Sequence, residues 1–358
     1  MKKALVVLLL LAFVGGGLFA QVTLTGLVNA GLGALKIGDN ELKFGVLAKN
    51  AWVNGLRARV NVIANNDDST VGFRGRIQAS AIPGATFNEA IQFNGAYGYL
   101  KGMGGNFELR GGKIHESLLA ANDGVLGYSY YTTNVGLQAQ IQPIPLLGVY
   151  FGAHSAYGLL EGATWDAGGL TGWAGLRANL GVADARAIFK INSGDTTAAV
   201  SAAFNAGPAA LGVGGYFEGL NAFADAGIMR FMLSAKLNVL EGLGLGLYGL
   251  YAMNNAPSAD PFMSFGAEVD YTIAGVKPML SLAYVSGKAA TYASGLNYWA
   301  NNFDTTPTWN ANQSYLTINP AVWFAGNRFE VGALVNLDMG SASSNNGFGA
   351  YLNYNVAF

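Results

Sequence analysis

The sequence predicts an all-β protein: a transmembrane, antiparallel, up-and-down β-barrel of about 18 strands, with 16 as the lower alternative. Three observations lead there. Hydrophobic residues make up 51% of the 358-residue chain but charged residues only 11%, against about 25% charged in ordinary soluble domains. No stretch after residue 20 is apolar for long enough to cross a bilayer as a helix, which takes about 20 residues. Apolar and polar residues instead alternate with period two in segment after segment. A sheet closed on itself satisfies every backbone group in lipid, and alternation is how it divides its two faces.

The elements follow in order. Met1-Lys2-Lys3 is basic, residues 4–14 are apolar, and Gly15-Gly16-Gly17 precedes Leu18-Phe19-Ala20. Residues 1–20 read as a secretory signal peptide cut after Ala20. Leu18 is larger than the small residue usual at its place, so the cut could be displaced slightly. The apolar run is too short for an anchor, and with no cysteine in the chain a lipoprotein is excluded. Residues 21–358 then form one barrel, with no second domain, linker or long repeat.

Within it, Leu56, Ala58, Val60 and Val62 share one face, and Arg57, Arg59 and Asn61 the other. Phe73, Gly75, Ile77 and Ala79 oppose Arg74, Arg76, Gln78 and Ser80. Leu137, Ala139 and Ile141 oppose Gln138, Gln140 and Gln142, and Leu176, Ala178 and Leu180 oppose Arg177 and Asn179. Leu233, Ala235, Leu237 and Val239 oppose Ser234, Lys236 and Asn238; Ala267, Val269, Tyr271 and Ile273 oppose Glu268, Asp270 and Thr272. Period two at this many places is a strand signal. Strands are expected near 22–35, 53–64, 70–81, 91–101, 106–113, 129–142, 148–157, 170–181, 184–193, 197–206, 210–218, 228–240, 243–253, 263–274, 279–287, 315–325, 328–338 and 347–358. The pattern is weak at 22–35 and 239–253, where glycine marks neither face.

Connections alternate as well. Tight turns are expected at 65–68, 102–105, 143–145, 207–208, 241–242, 275–278 and 326–327. Longer polar segments fall at 36–52, 82–90, 114–127, 158–169, 219–227, 254–262 and 288–314. Short turns at one end and long loops at the other suit a membrane barrel. The longest segment, 288–314, holds Tyr292, Tyr298, Trp299, Phe303 and Trp309. It could fold into the lumen, meet ligands outside, or place its tryptophans in an interfacial aromatic girdle or in loop packing. The last reading is preferred.

Several function classes drop out. Without Lys2 and Lys3, 18 basic residues face 21 acidic ones, so bulk positive charge does not point to nucleic acid. Zero cysteines leave no disulfide or thiolate metal site. His115-Glu116-Ser117 cannot form a relay on a strand, since adjacent side chains point to opposite faces. His154 has no nearby catalytic pattern. Gly244 to Gly249 fits G-x-G-x-x-G, but no helix is expected after it and a glycine-rich chain yields such spacings by chance. Asp67-Asp68 reads as a solvated turn rather than a calcium site. No enzyme activity and no cofactor are expected.

The polar face carries the chemistry. In a wide barrel it lines water. Arg57, Arg59, Arg74, Arg76 and Arg110, from the second, third and fifth strands, would form a basic ladder on the inner wall. Lys236 also points inward. Glu268, Asp270, Glu330 and Asp338, from the fourteenth and seventeenth strands, would stand about a third of the circumference away in an 18-strand barrel. Such segregation makes a transverse field across a constriction. The plainer alternative is a set of solvated residues, or Arg–Glu pairs such as Glu108 with Arg110.

The last nine residues sharpen the picture. Phe358, Val356, Tyr354, Leu352 and Ala350 alternate with Ala357, Asn355, Asn353 and Tyr351. A chain that stops on such an aromatic strand resembles bacterial outer-membrane β-barrel proteins of the porin type. The resemblance implies export to the outer membrane and an assembly signal in Phe358, Val356 and Tyr354. It implies as partners the barrel assembly machinery, outer-membrane lipid and small hydrophilic solutes diffusing through the lumen, with a homo-oligomer left open. The charged wall resembles that of general diffusion porins, although no porin motif maps residue by residue. The alternative function is a structural or adhesive surface barrel with an occluded lumen and ligand-binding extracellular loops.

Overall fold

A computed structural model describes residues 21–37, 42–46, 56–81, 92–114, 116–117, 131–132, 135–155, 170–191, 196–255, 261–286, 314–339 and 346–358. The expected signal peptide, His115 and nearly all of the 288–314 segment lie outside the described residues.

Eighteen strands form the wall: β1 Gln21–Ile37, β2 Leu56–Asn65, β3 Val71–Ala81, β4 Gln92–Gly102, β5 Phe107–Lys113, β6 Val135–Ile144, β7 Leu147–Ser155, β8 Leu170–Asn179, β9 Ala183–Ile191, β10 Thr196–Ala206, β11 Ala209–Glu218, β12 Ile228–Leu240, β13 Leu243–Asn254, β14 Phe262–Tyr271, β15 Lys277–Ser286, β16 Tyr315–Phe324, β17 Phe329–Asp338 and β18 Gly347–Ala357. Each pairs antiparallel with its neighbours in chain order. The seam closes where β1 pairs with β18, from Leu27 opposite Ala357 to Ile37 opposite Gly347. Closure leaves no free edge for the wall strands.

Two short strands, Lys43–Val46 and Glu116–Ser117, are additions to the expected set, and a third, Tyr131–Thr132, falls within the expected 129–142 strand but leaves the wall. Lys43–Val46 pairs with Leu32 to Leu35, taking over the partner side of β1 where β2 leaves it at Asn29. Glu116–Ser117 and Tyr131–Thr132 form a separate two-stranded sheet. The sixth strand therefore starts at Val135, later than the expected 129, and runs on to Ile144. The register shifts there between Leu147 and Val149. This bulge takes Pro143, which has no N–H to give, out of the ladder. The rule of short turns and long loops also has an exception. Residues 192–195 join β9 to β10 at the long-loop end with only four residues.

The two faces differ in burial, and this identifies the inner one. Glu330, Asn336, Asn319, Thr317 and Ser281 are almost completely buried on the polar face, while Leu233, Leu247 and Phe265 of the other face are about half exposed. Only the concave side of a closed sheet shields its own side chains. The polar face is thus inside and the apolar face outside, as alternation predicts. Leu250 and Leu334 also pack on the inner wall.

Turns at the short end use glycine where the backbone needs positive φ. Gly242 has φ +82° in the Glu241-Gly242 link. Across the seam, Gly26 and Phe358 exchange both backbone hydrogen bonds, at 2.6 and 3.0 Å. The Phe358 ring occupies the space a side chain at position 26 would fill.

Candidate functional site

The inner wall brings together the charged residues that alternation selects. Arg57 stands in register with Asn29 and Ser80, two residues from Arg59. Arg59 donates from Nε and Nη2 to Gln78 Oε1 at 3.0 and 2.9 Å. Arg76 Nε donates to Asn61 Oδ1 at 3.0 Å, and Asn61 Nδ2 in turn donates to Thr25 Oγ1 at 3.2 Å. These amide partners orient the two guanidinium groups along the wall. Arg74, Arg76, Asn61, Thr25, Gly95 and Tyr97 border a cavity of about 240 Å³.

Aromatic rings form a second layer behind the cations. The Arg74 guanidinium lies 5.8 Å and Lys101 Nζ 5.2 Å from the Tyr99 ring. Arg110 lies 5.7 Å from the Tyr97 ring, and its Nε is 2.6 Å from Glu108 Oε1. Tyr97 and Tyr99 are buried beneath them. Ring faces attract cations, so the rings hold the charges over the wall.

The basic face extends further than the expected ladder. Arg177 and Arg186 are cross-strand neighbours on β8 and β9. Asp184 bridges them at 3.0 and 2.9 Å. Lys190 lies on the same face of β9. Arg230 on β12 sits 4.9 Å over the Tyr216 ring and 3.2 Å from Glu218. The signal that could have found these residues was present: Ala183, Ala185, Ala187 and Phe189 alternate with Asp184, Arg186, Ile188 and Lys190. Lys236, also on β12, stands exposed in register with Ala210 and Gly246.

The acidic residues do not form one opposing wall. Glu268 accepts a hydrogen bond from Ser281 Oγ at 3.1 Å, and Asp270 faces Gly244. Both stand only two strands from Lys236. Asp338 is in register with Tyr315, and its backbone N–H donates to Asn346 Oδ1 at 2.9 Å. Glu330 departs from the expectation of a water-facing carboxylate, since it is 0% exposed. The Tyr351 hydroxyl donates to its Oε1 at 2.9 Å and Asn353 Nδ2 to its Oε2 at 3.4 Å. The same hydroxyl meets Asn319 at 2.9 Å. Glu330 is thus an anchor of the packed β16–β18 wall.

Phe358, Tyr354 and Val356 lie on or at the end of β18. Tyr354 faces outward, its ring 4.9 Å from Phe329, which stacks 5.5 Å from Phe324. His154 is buried on the inner wall between Gly136 and Thr171. Its Nδ1 has no hydrogen-bond partner among the described residues. No group of three His, Asp or Glu side chains suited to a metal occurs among the described residues. The glycines from Gly244 to Gly249 lie within strand β13. Asp68 caps its own turn, accepting from Thr70 Oγ1 and N, and these bonds hold its carboxyl below the usual range.

No family model and no curated protein matches the chain. Solved structures do. OprD of Pseudomonas aeruginosa is 12% identical with TM-score 0.53, over 96% of this chain and 97% of that one. OccAB4 of Acinetobacter baumannii is 13% identical with TM-score 0.54, over 95% and 99%. OpdL of Pseudomonas aeruginosa is 9% identical with TM-score 0.56, over 95% and 99%. At these identities the likeness is one of fold: that of a porin-type outer-membrane β-barrel, matched along nearly the whole of both chains.

Proposed function

We propose that this protein is an outer-membrane channel through whose lumen small hydrophilic solutes and ions diffuse passively. The observation that carries the reading is the polar inner face, where Arg59 and Arg76 are ordered by the amides of Gln78 and Asn61, Arg74 by the Tyr99 ring, and Arg110, Arg177, Arg186 and Arg230 by the carboxylates of Glu108, Asp184 and Glu218. A barrel of this strand number is wide enough for an aqueous path. Width sets the size limit and the fixed charges bias which ions pass. Arg57, Arg59, Arg74, Arg76, Arg110, Lys236, Glu268, Asp270 and Asp338 are the proposed pore-lining set, with Arg177, Arg186 and Arg230 added. The reading is of a channel and not of an enzyme.

Residues 1–20 are proposed as the export signal and 21–358 as the barrel. Phe358, Val356 and Tyr354 are proposed as the feature read by the assembly machinery. The likeness of fold to OprD and OccAB4 supports the membrane assignment. The test is reconstitution into a planar bilayer, where open, ohmic channels are expected. A purified, folded barrel that conducts nothing would overturn the channel reading and leave a surface barrel that acts through its loops.

A further inference from the structure

The short-turn rim divides into two sectors. Eight short turns join the strand pairs from β2–β3 to β16–β17. The two nearest the β18–β1 seam are polar: Asn66, Asp67, Asp68, Ser69 and Thr70 on one side, Asn327 and Arg328 on the other. The six between them, at 103–106, 145–146, 180–182, 207–208, 241–242 and 272–276, carry one formal charge, Glu241. Aliphatic side chains stand at or beside their tips and are among the most exposed large apolar side chains of the described residues: Met103 is 79% exposed, Leu240 69% and Val182 64%.

These tips continue the outer apolar face without a polar break. Leu176 leads to Leu180, Leu237 to Val239 and Leu240, and Val269 through Tyr271 to Ile273. Apolar area of this extent is unfavourable in water. Contiguous apolar surface on a folded protein marks contact with another apolar phase. Neighbouring tips are two strands, or about 10 Å, apart. Methylene chains fill gaps of that width around a curved rim, whereas a flat protein surface does not.

We propose that the arc from Met103 to Val276 is immersed in the headgroup and upper acyl region of the adjoining leaflet, while the two polar turns that flank the seam, at 66–70 and 327–328, stand in water. The proposal rests on the reading of the chain as a membrane barrel. The occupant is membrane lipid, recognised by continuity of the arc with the outer apolar band and by its near absence of charge.

The test uses single cysteines, unique because the native chain has none. Leu180→Cys, Leu240→Cys, Ile273→Cys, Asp67→Cys and Leu247→Cys are labelled with bimane and reconstituted in phosphatidylcholine vesicles. A nitroxide near the lipid glycerol should quench the labels at 180, 240 and 273 several-fold more than the label at 67, and aqueous iodide should show the reverse order. Iodide reaching 180, 240 and 273 as readily as 67 would overturn the proposal, and a water-facing or protein-covered rim would replace it. Position 247, at mid-strand on the outer face, separates the two failures. If an acyl-chain nitroxide does not quench it, the membrane reading itself fails. If it is quenched and the turns are not, only the immersion fails. Should one turn label prevent folding, Met103→Cys and Leu146→Cys probe the same arc.

Discussion

Tyr351 lies across Gly332 on the neighbouring strand: a Cβ at Gly332 would stand 2.5 Å from the ring. The ring can follow the wall only because position 332 has no side chain, and its hydroxyl then reaches Glu330. The pattern recurs on the inner face. Tyr99 covers Gly72, Trp173 covers Gly152, Tyr150 covers Gly175 and Tyr248 covers Gly266. The glycines accommodate large rings along the wall, where they would otherwise project into the lumen.

Gly332→Val should therefore destabilise the folded barrel by about 1–3 kcal/mol through overpacking. Gly172→Ala, where nothing lies within 4 Å of the added carbon, should be close to neutral. Urea unfolding of the refolded protein, followed by tryptophan fluorescence, reads both. Equal stability of the two variants would mean that Tyr351 is free to move off the wall.

Glu330 and Glu268 should separate stability from selectivity. Glu330→Ala strips Tyr351 and Asn353 of a buried acceptor and should cost about 1–3 kcal/mol. Its ion selectivity should stay that of the parent protein, because the carboxylate is closed off from the lumen. Glu268→Gln should be nearly neutral for unfolding yet shift reversal potential toward anions. A selectivity change in the Glu330 variant would show that the packed wall opens in solution.

Face assignment can be read by thiol labelling. Cysteines replacing Arg59, Arg76 and Lys236 should react with a small water-soluble maleimide, and those replacing Val60, Ile77 and Leu237 should not. Reversed labelling would mean a register one residue off, which exchanges every face. On the outer face, Leu247→Arg should cost about 2–4 kcal/mol if position 247 lies near the bilayer midplane.

The basic wall makes the strongest functional forecast. Neutralising Arg57, Arg59, Arg74 and Arg76 together should move reversal potential toward cations. The shift should be larger at about 0.1 M salt than at about 1 M, where the screening length falls from about 10 Å to about 3 Å. Asp184→Asn should move it the other way, because Arg177 and Arg186 lose the carboxylate between them. A conducting channel whose selectivity ignores all five changes would place the constriction elsewhere.

Much of the barrel was legible in the amino-acid sequence by itself. The barrel class, a strand number of 18 or 16, the two faces of each strand and the short-turn end all follow from period two and turn residues, because a pleated strand converts alternation directly into two sides. Arg59, Arg76, Lys236 and Glu268 could be placed on the inner face for that reason. The start of β6 was less legible, because residues 129–134 continue the composition of the strand while the wall ladder begins only at Val135.

What only the tertiary structure decided is which residue stands opposite which. A slip of one residue turns a strand inside out, so the pattern forbids it. A slip of two leaves every face unchanged, so the pattern is silent about it. The seat of Tyr351 on Gly332, the burial of Glu330, the Arg177–Asp184–Arg186 bridge and the stacking of Arg74 over Tyr99 all depend on that second choice. It is made by the packing of side chains between strands and by closure of β18 on β1, not by alternation along any one strand.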